Sequence, residues 1–263
     1  MATPILIVDA FADAAFAGNP AAVCLADEPR PADWMQRVAN EMNLSETAFP
    51  VREGDVWRLR WFTPAVEVDL CGHATLAAAH VLWESGRVPA GDTIRFRSKS
   101  GLLTAERDGD WIALDFPAYK VGPRTPPPAL TEALGLTPTF VGHTGTDYVC
   151  EVPTEDAVVA IRPDYRRLGQ VMTRGVIVTA KCERAGVDFA SRFFAPAVGV
   201  PEDPVTGSAH CALGPYWAGK LGKTELVGFQ ASKRGGTVKV AVAGDRVRLA
   251  GKAVTVLRGE LIA

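Results

Sequence analysis

Arg60-Trp-Phe-Thr-Pro-Ala-Val-Glu-Val68 is written a second time as Arg192-Phe-Phe-Ala-Pro-Ala-Val-Gly-Val200. Six of the nine positions are identical at an offset of 132 residues. Three extra residues in the second copy then bring Gly72-His73-Ala74 onto Gly207-Ser208-Ala209. Each copy reads as strand, proline turn, glycine and apolar helix. Chance likeness between two strand-turn-helix units is the competing explanation. The offset is half of the 263-residue chain, and a segment with five prolines, residues 117–128, lies between the copies. Both facts favour an internal repeat.

The elements around the repeat fill in the architecture. Residues 72–85, GHATLAAAHVLWES, are almost uncharged and end before Gly86. A helix that is apolar all round is a buried helix, and a second one is expected over about 207–220. A third helix, amphipathic, is expected over 31–43 from Met35, Val38, Ala39 and Met42. Short apolar or alternating runs separated by Gly and Asp turns read as strands over 5–9, 21–25, 47–51, 57–62, 94–97, 102–106 and 111–115. Others read so near 140, over 148–152, 176–179 and 188–194, and over 238–242, 246–249 and 254–258. The prolines of 117–128 fit neither a central strand nor a helix interior, so that stretch reads as a linker.

The expected fold class is α+β, with two pseudo-symmetric halves. Each half is a curved, mostly antiparallel sheet wrapped around a central apolar helix. The halves are expected to be 1–118 and 119–263, with the last strand free to return to the first half. Two such halves facing one another would aim two glycine-started helix N-termini at one cleft. Helix starts carry unpaired N–H donors and a positive dipole end, so the cleft should take a small anionic group, a carboxylate above all.

Composition excludes other classes. The net charge of −2 leaves no basic surplus for nucleic acid. No uncharged run approaches the roughly 20 apolar residues of a membrane helix. The start, MATPILIVDAF, has no basic stretch and meets Asp9 at once, so a signal peptide is not expected. Cys24, Cys71, Cys150, Cys182 and Cys211 form no Cys-x-x-Cys pair, which fits a reduced cytoplasm and no disulfide scaffold. His80, His143 and His210 lack metal-ligand spacing, so no metal is expected, and His80 reads as core or interface. No phosphate loop, Gly-x-Gly-x-x-Gly or Gly-x-Ser-x-Gly occurs, so no cofactor is expected.

Five side chains are candidates for chemistry. Glu46 lies between a helix and an apolar strand. Partial burial would make it a general acid/base, and full exposure a mere connector. His73 at the first helix start either meets substrate or caps its own helix. Asp203 just before the second helix either faces the cleft or interacts with the helix dipole. Ser208 either binds a carboxylate or is an ordinary first-turn serine. Cys71 can be a thiolate at a helix start, but its repeat partner is Thr206, so no symmetric thiol pair is available.

Phe16-Ala-Gly-Asn-Pro-Ala-Ala-Val23, Asn43-Leu-Ser-Glu46-Thr, Phe62-Thr-Pro-Ala-Val-Glu, Asp69-Leu-Cys-Gly-His-Ala-Thr75 and Glu202-Asp-Pro-Val-Thr-Gly-Ser-Ala209 run in order over nearly the whole chain. Together they resemble the PhzF-like phenazine-biosynthesis isomerase family, whose fold is similar to diaminopimelate epimerase. The resemblance implies a cofactor-free homodimer. Its founding member isomerises trans-2,3-dihydro-3-hydroxyanthranilate by moving a proton along a conjugated system.

Carried over, the resemblance makes Glu46 the proton-shuttling acid/base. His73 and Asp203 become polar partners at the substrate, and Ser208 with the Gly72 and Gly207 backbones its binding groups. Cys71 matches one thiol of the epimerase and Thr206 replaces the other, which argues against thiol-pair chemistry. The expected activity is a cofactor-independent proton shift within a small carboxylate-bearing metabolite. The alternatives are an amino-acid-type epimerase or racemase, and a non-catalytic metabolite-binding protein.

Overall fold

A computed structural model describes residues 2–262 of the chain. Two compact units emerge. One holds the chain up to Phe116 together with the segment from Leu249 onward. The other is Pro117–Arg248.

The first unit contains β1 (Thr3–Ala10), β2 (Asn19–Cys24), α1 (Ala32–Met42), β3 (Glu46–Glu53), β4 (Val56–Phe62), β5 (Glu67–Val68), α2 (Gly72–Glu84), β6 (Ile94–Ser98), β7 (Gly101–Asp108) and β8 (Trp111–Pro117). The second contains β9 (Gly122–Pro123), α3 (Pro128–Leu134), β10 (Phe140–His143), β11 (Asp147–Glu151), α4 (Glu155–Ala160), α5 (Tyr165–Leu168), β12 (Gly175–Lys181), β13 (Phe189–Ala195) and β14 (Val200–Asp203). It continues with α6 (Gly207–Leu221), β15 (Glu225–Gln230) and β16 (Gly236–Ala243). The chain returns to the first unit within β17 (Arg246–Gly251), and β18 (Ala253–Leu261) pairs antiparallel with β1.

The repeat read in the sequence is a repeat of strand pairings. In the first unit β2 and β3 are parallel across α1, β3–β4 and β4–β5 are antiparallel, and β4 and β6 are parallel across α2. In the second unit β11 and β12 are parallel across α4 and α5, and β12–β13 and β13–β14 are antiparallel. There β13 and β15 are parallel across α6. Parallel neighbours need a crossover, and here a helix supplies each one. Antiparallel pairs dominate both units.

Each central helix is buried for the reason its sequence gives. Ten of the thirteen residues of α2 are buried, among them Leu76, Val81 and Leu82 at 0% exposure. Burying each such side chain contributes about 1.5–3 kcal/mol. Eight of the fifteen residues of α6 are buried, including Leu213 and Trp217. Pro215 inside α6 has no N–H to give to Cys211, four residues back. The freed Cys211 carbonyl accepts instead from the Tyr119 backbone N–H, at 3.0 Å.

The structure differs from the linker reading of 117–128. Pro117 ends β8, Pro123 sits in the two-residue β9, and Pro128 opens α3. Edge, turn and first-turn positions are where a residue without an N–H fits. The short helices α3, α4 and α5 were not read from the sequence. At four to seven residues they are too brief to display a helical period. Among the described residues no helix is long and apolar enough to cross a membrane.

Between β1 and β2 the chain turns sharply. Gly18 has φ +64°, and a Cβ there would lie 2.1 Å from the Ala10 carbonyl oxygen, so only glycine fits. The Phe16 N–H donates to Asp9 Oδ2 at 2.7 Å and pins the loop that delivers Asn19.

Candidate active site

In each unit the repeated phrase ends in a clamp just before the central helix. Arg60 of β4 grips Glu67 of β5 in bidentate fashion, at 2.7 and 2.9 Å. Arg192 of β13 grips Glu202 of β14 at the same two distances. Arg60 and Arg192 are equivalent in the repeat, and so are Glu67 and Glu202 once the three-residue insertion is counted. Paired N–H···O bonds of this kind fix geometry as well as charge. The Arg60 guanidinium, helped by Lys99, holds the Glu67 carboxyl down at about 2 against the opposing effect of burial.

The clamps lead into two matched helix starts. Cys71 and Thr206 are the N-cap residues of α2 and α6, both extended, and neither makes a side-chain cap hydrogen bond. Each cap carbonyl is held by a side chain one turn on. Thr75 Oγ1 donates to the Cys71 carbonyl at 2.5 Å, and His210 Nδ1 lies 2.8 Å from the Thr206 carbonyl. Burial pushes His210 down to about 4, against the help of that carbonyl. It is therefore a neutral donor at pH 7, a structural histidine.

In the first unit Glu46, Cys71 and His73 come together. The three side chains offer ligand-type atoms within 4.8 Å of one another. His73 does not cap its helix. Its Nε2 lies 3.1 Å from Glu46 Oε2, and its Nδ1 lies 3.2 Å from Asn19 Nδ2 and 3.6 Å from Cys71 Sγ. The Glu46 contact is an ion-pair approach. Among the described residues neither Glu46 Oε2 nor His73 Nε2 has an aligned hydrogen-bond partner. The side chains are 5% and 18% exposed for His73 and Glu46, so Glu46 is no exposed connector.

The electrostatics follow from burial and neighbours. Burial opposes a charged imidazole at His73. The Cys71 sulfur first, and then Glu46, outweigh that cost and hold the ring well above its usual range. Burial first, then the Glu46 charge, pushes the Cys71 thiol up to about 11. Cys71 and His73 thus shift one another in opposite senses, and both lie against Glu46. The Asn19 amide donates to Nδ1 of a neutral ring in this orientation, and turned over it would accept from an imidazolium. A metal ion would find its ligands in the same three side chains, with thiol and imidazole first giving up their protons.

The sign of the His73 effect can be measured. Its folded-state pKa lies above the unfolded value of about 6.5. The stabilisation is therefore complete below about pH 6.5 and fades as pH rises through the folded-state pKa. A His73→Asn variant should lose more stability relative to the parent near pH 6 than in strongly alkaline buffer, by urea denaturation. Equal losses at both pH values would mean the ring is neutral throughout.

In the second unit Asp203 ends β14 and Gly207 begins α6. Thr206 Oγ1 donates to Asp203 Oδ2 at 2.5 Å. Gln230 accepts from the Thr206 N–H at 2.9 Å and donates to the Asp203 carbonyl at 2.7 Å. Ser208 Oγ accepts from Arg174 Nη2 at 3.0 Å. Arg174 is itself held by the buried Asp147, through Nε–Oδ1 at 2.8 Å and a second bond from Nη2 to Oδ2. Burial disfavours its charge, but Asp147 outweighs that and keeps the guanidinium firmly protonated.

Sequence reasoning missed Asn19, Arg174, Asp147 and Gln230. Asn19 lies inside a motif already singled out. Arg174, Asp147 and Gln230 carry no local signal, because strands far apart in the chain bring them to the helix start.

The pattern of the phenazine biosynthesis-like protein family matches residues 8–259. The chain is 54% identical to an uncharacterized isomerase of Halalkalibacterium halodurans, covering all of this chain and 99% of that one. It is 42% identical to a PhzF-family phenazine biosynthesis protein of Enterococcus faecalis of known crystal structure, with a TM-score of 0.96 and full coverage of both chains. A predicted epimerase of Pseudomonas aeruginosa, at 23% identity and a TM-score of 0.75, shares the α+β fold over 99% of both chains.

Proposed function

The chain belongs to the phenazine biosynthesis-like family of isomerases, and on that premise we propose that it moves a proton within a small carboxylate-bearing metabolite without a cofactor. Glu46 is the acid/base. The observation that carries this reading is the Glu46–His73 contact at the α2 start, with Glu46 Oε2 lacking an aligned hydrogen-bond partner.

The proposed sequence is a carbon-to-carbon proton shift. Glu46 takes a proton from a carbon acidified by a neighbouring carbonyl or diene. The electron pair moves into the conjugated system. Glu46 then returns the same proton to a different carbon, so atoms and charge balance. His73, as imidazolium, donates toward the charge that develops on the substrate. The N–H groups at Gly72 do the same from the helix start. In the second unit Gly207 and Ser208 bind substrate, Arg174 adds positive charge there, and Asp203 is a polar contact.

An amino-acid-type epimerase using Glu46 and Cys71 is the second reading. The Cys71 sulfur at 3.6 Å from His73 favours it. The thiol held at about 11 and the Thr206 hydroxyl at the matching position count against it. We further propose that the chain is a cytoplasmic homodimer; its five free buried thiols suit a reducing compartment.

The test is an incubation of the protein in deuterium oxide with a panel of small unsaturated carboxylates and amino acids. Deuterium uptake or a shifted double bond, read by mass spectrometry and NMR, is the expected result for at least one conjugated acid. Exchange confined to an amino-acid stereocentre would favour the epimerase. A ligand bound tightly and returned unexchanged would identify a binding protein instead.

A further inference from the structure

β18 pairs with β1, and its residues 257–260 are exposed. A groove of about 500 Å³ borders the strand, lined by His80 and Glu84 of α2 and by residues 253–258. Open sheet edges are usually blunted by lysine, proline or a covering loop. This one carries Leu257 at 48% exposure and is followed by Ile262 at 91%. The segment Leu257-Arg258-Gly259-Glu260-Leu261 has the same chemical character read in either direction about Gly259, except that the charge inverts. Inversion is what a strand needs to complement a copy of itself.

We propose that this edge is the surface on which two copies of the chain pair, with the two β18 strands antiparallel about Gly259. The inference rests on the homodimer proposed above and names its surface. In this register Leu257 stands opposite Leu261 of the partner subunit, and Arg258 opposite Glu260 of the partner subunit. At the centre glycine meets glycine. Two-fold symmetry makes every such pair twice.

The two faces of the strand suit the arrangement. A register shift occurs opposite Ile7 and Val8, and beyond it Arg258 and Thr255 both reach Glu84, at 2.9 and 2.8 Å. Arg258 and Glu260 thus share the α2 face. Leu261 lies on the other face, against the cluster of Ile5, Met35 and Phe49. Leu257 of the partner subunit would extend that apolar cluster. A strand from an unrelated protein can add to an open edge, but it gives no reason for a central glycine flanked by opposite charges.

The experiment measures mass by sedimentation equilibrium of the full chain. All variants are made in an E84Q background, which removes the intrachain partner of Arg258. Positions 258 and 260 are exposed, and circular dichroism checks the fold. The parent is expected at twice the 28.0 kDa of one chain. R258E and E260R each set like charges opposite one another twice, so each should raise the dimer dissociation constant about tenfold or more. The R258E/E260R double variant restores the complementarity and should return the parental constant. A parent of 28.0 kDa would overturn the homodimer and this surface together. A parental dimer indifferent to all variants would overturn the surface alone. Weakening in both single variants without rescue in the double would overturn the pairing about Gly259.

Discussion

Replacing Glu46 by Gln is expected to remove proton exchange while leaving the fold and ligand binding intact. Gln has the shape of Glu and keeps the approach to His73, but it takes no proton from carbon. Loss of a positioned acid/base costs about 10²–10⁴ in rate, and here the same carboxylate would act in both half-steps, so the upper end is expected. A second readout needs no substrate. Cys71 and then the Glu46 charge offset the burial of His73, so the imidazole pKa should fall in E46Q, visible in an NMR titration of the ring nitrogens. The two readouts separate the roles of the residue. A lowered His73 with undiminished exchange would leave Glu46 as an electrostatic partner and remove it as the base.

The second large effect is on stability, and it lies one strand away from the site. Arg192→Ala should destabilise the protein by about 3–5 kcal/mol, the range for breaking a buried ion pair. Arg192 is 6% exposed. Its loss strands the Glu202 carboxylate and also the Ile161 carbonyl, to which Nη1 donates at 2.7 Å. The matching change in the other repeat, Arg60→Ala, should cost less, within the common range of about 0.5–3 kcal/mol for a single substitution. Glu67 keeps Lys99 as a partner at 2.7 Å, and the Arg60 side chain is 18% exposed. Urea denaturation of the two variants side by side gives the comparison. Equal losses would mean that burial does not distinguish the two clamps.

The clamps link stability to the site. Glu202 immediately precedes Asp203, and Glu67 lies four residues before Cys71. An arginine gripping each short strand sets where the chain enters the central helix. A partial loss of activity in Arg192→Ala, rescued by lysine only in part, would follow from the planar fork that lysine lacks.

The sequence by itself determined the repeat, the two central helices and the extended character of most strands. Those features are local. An uncharged run opened by glycine must bury itself on all sides, and a proline turn after alternating residues ends a strand whatever follows. The order of the motifs determined the family in the same way. Glu46 could not be settled at that level, because the residues around it fit an exposed connector better. Only the tertiary structure brought Glu46 of β3 to 3.1 Å from His73 of α2, through a parallel pairing of β2 with β3 across a whole helix. It likewise pushed the Cys71 thiol up, set Arg174 against Ser208, and left residues 257–260 of β18 exposed. Contacts between residues distant in the chain, and the loss of water around them, set proton affinities and partners, and neither has a local signature in sequence.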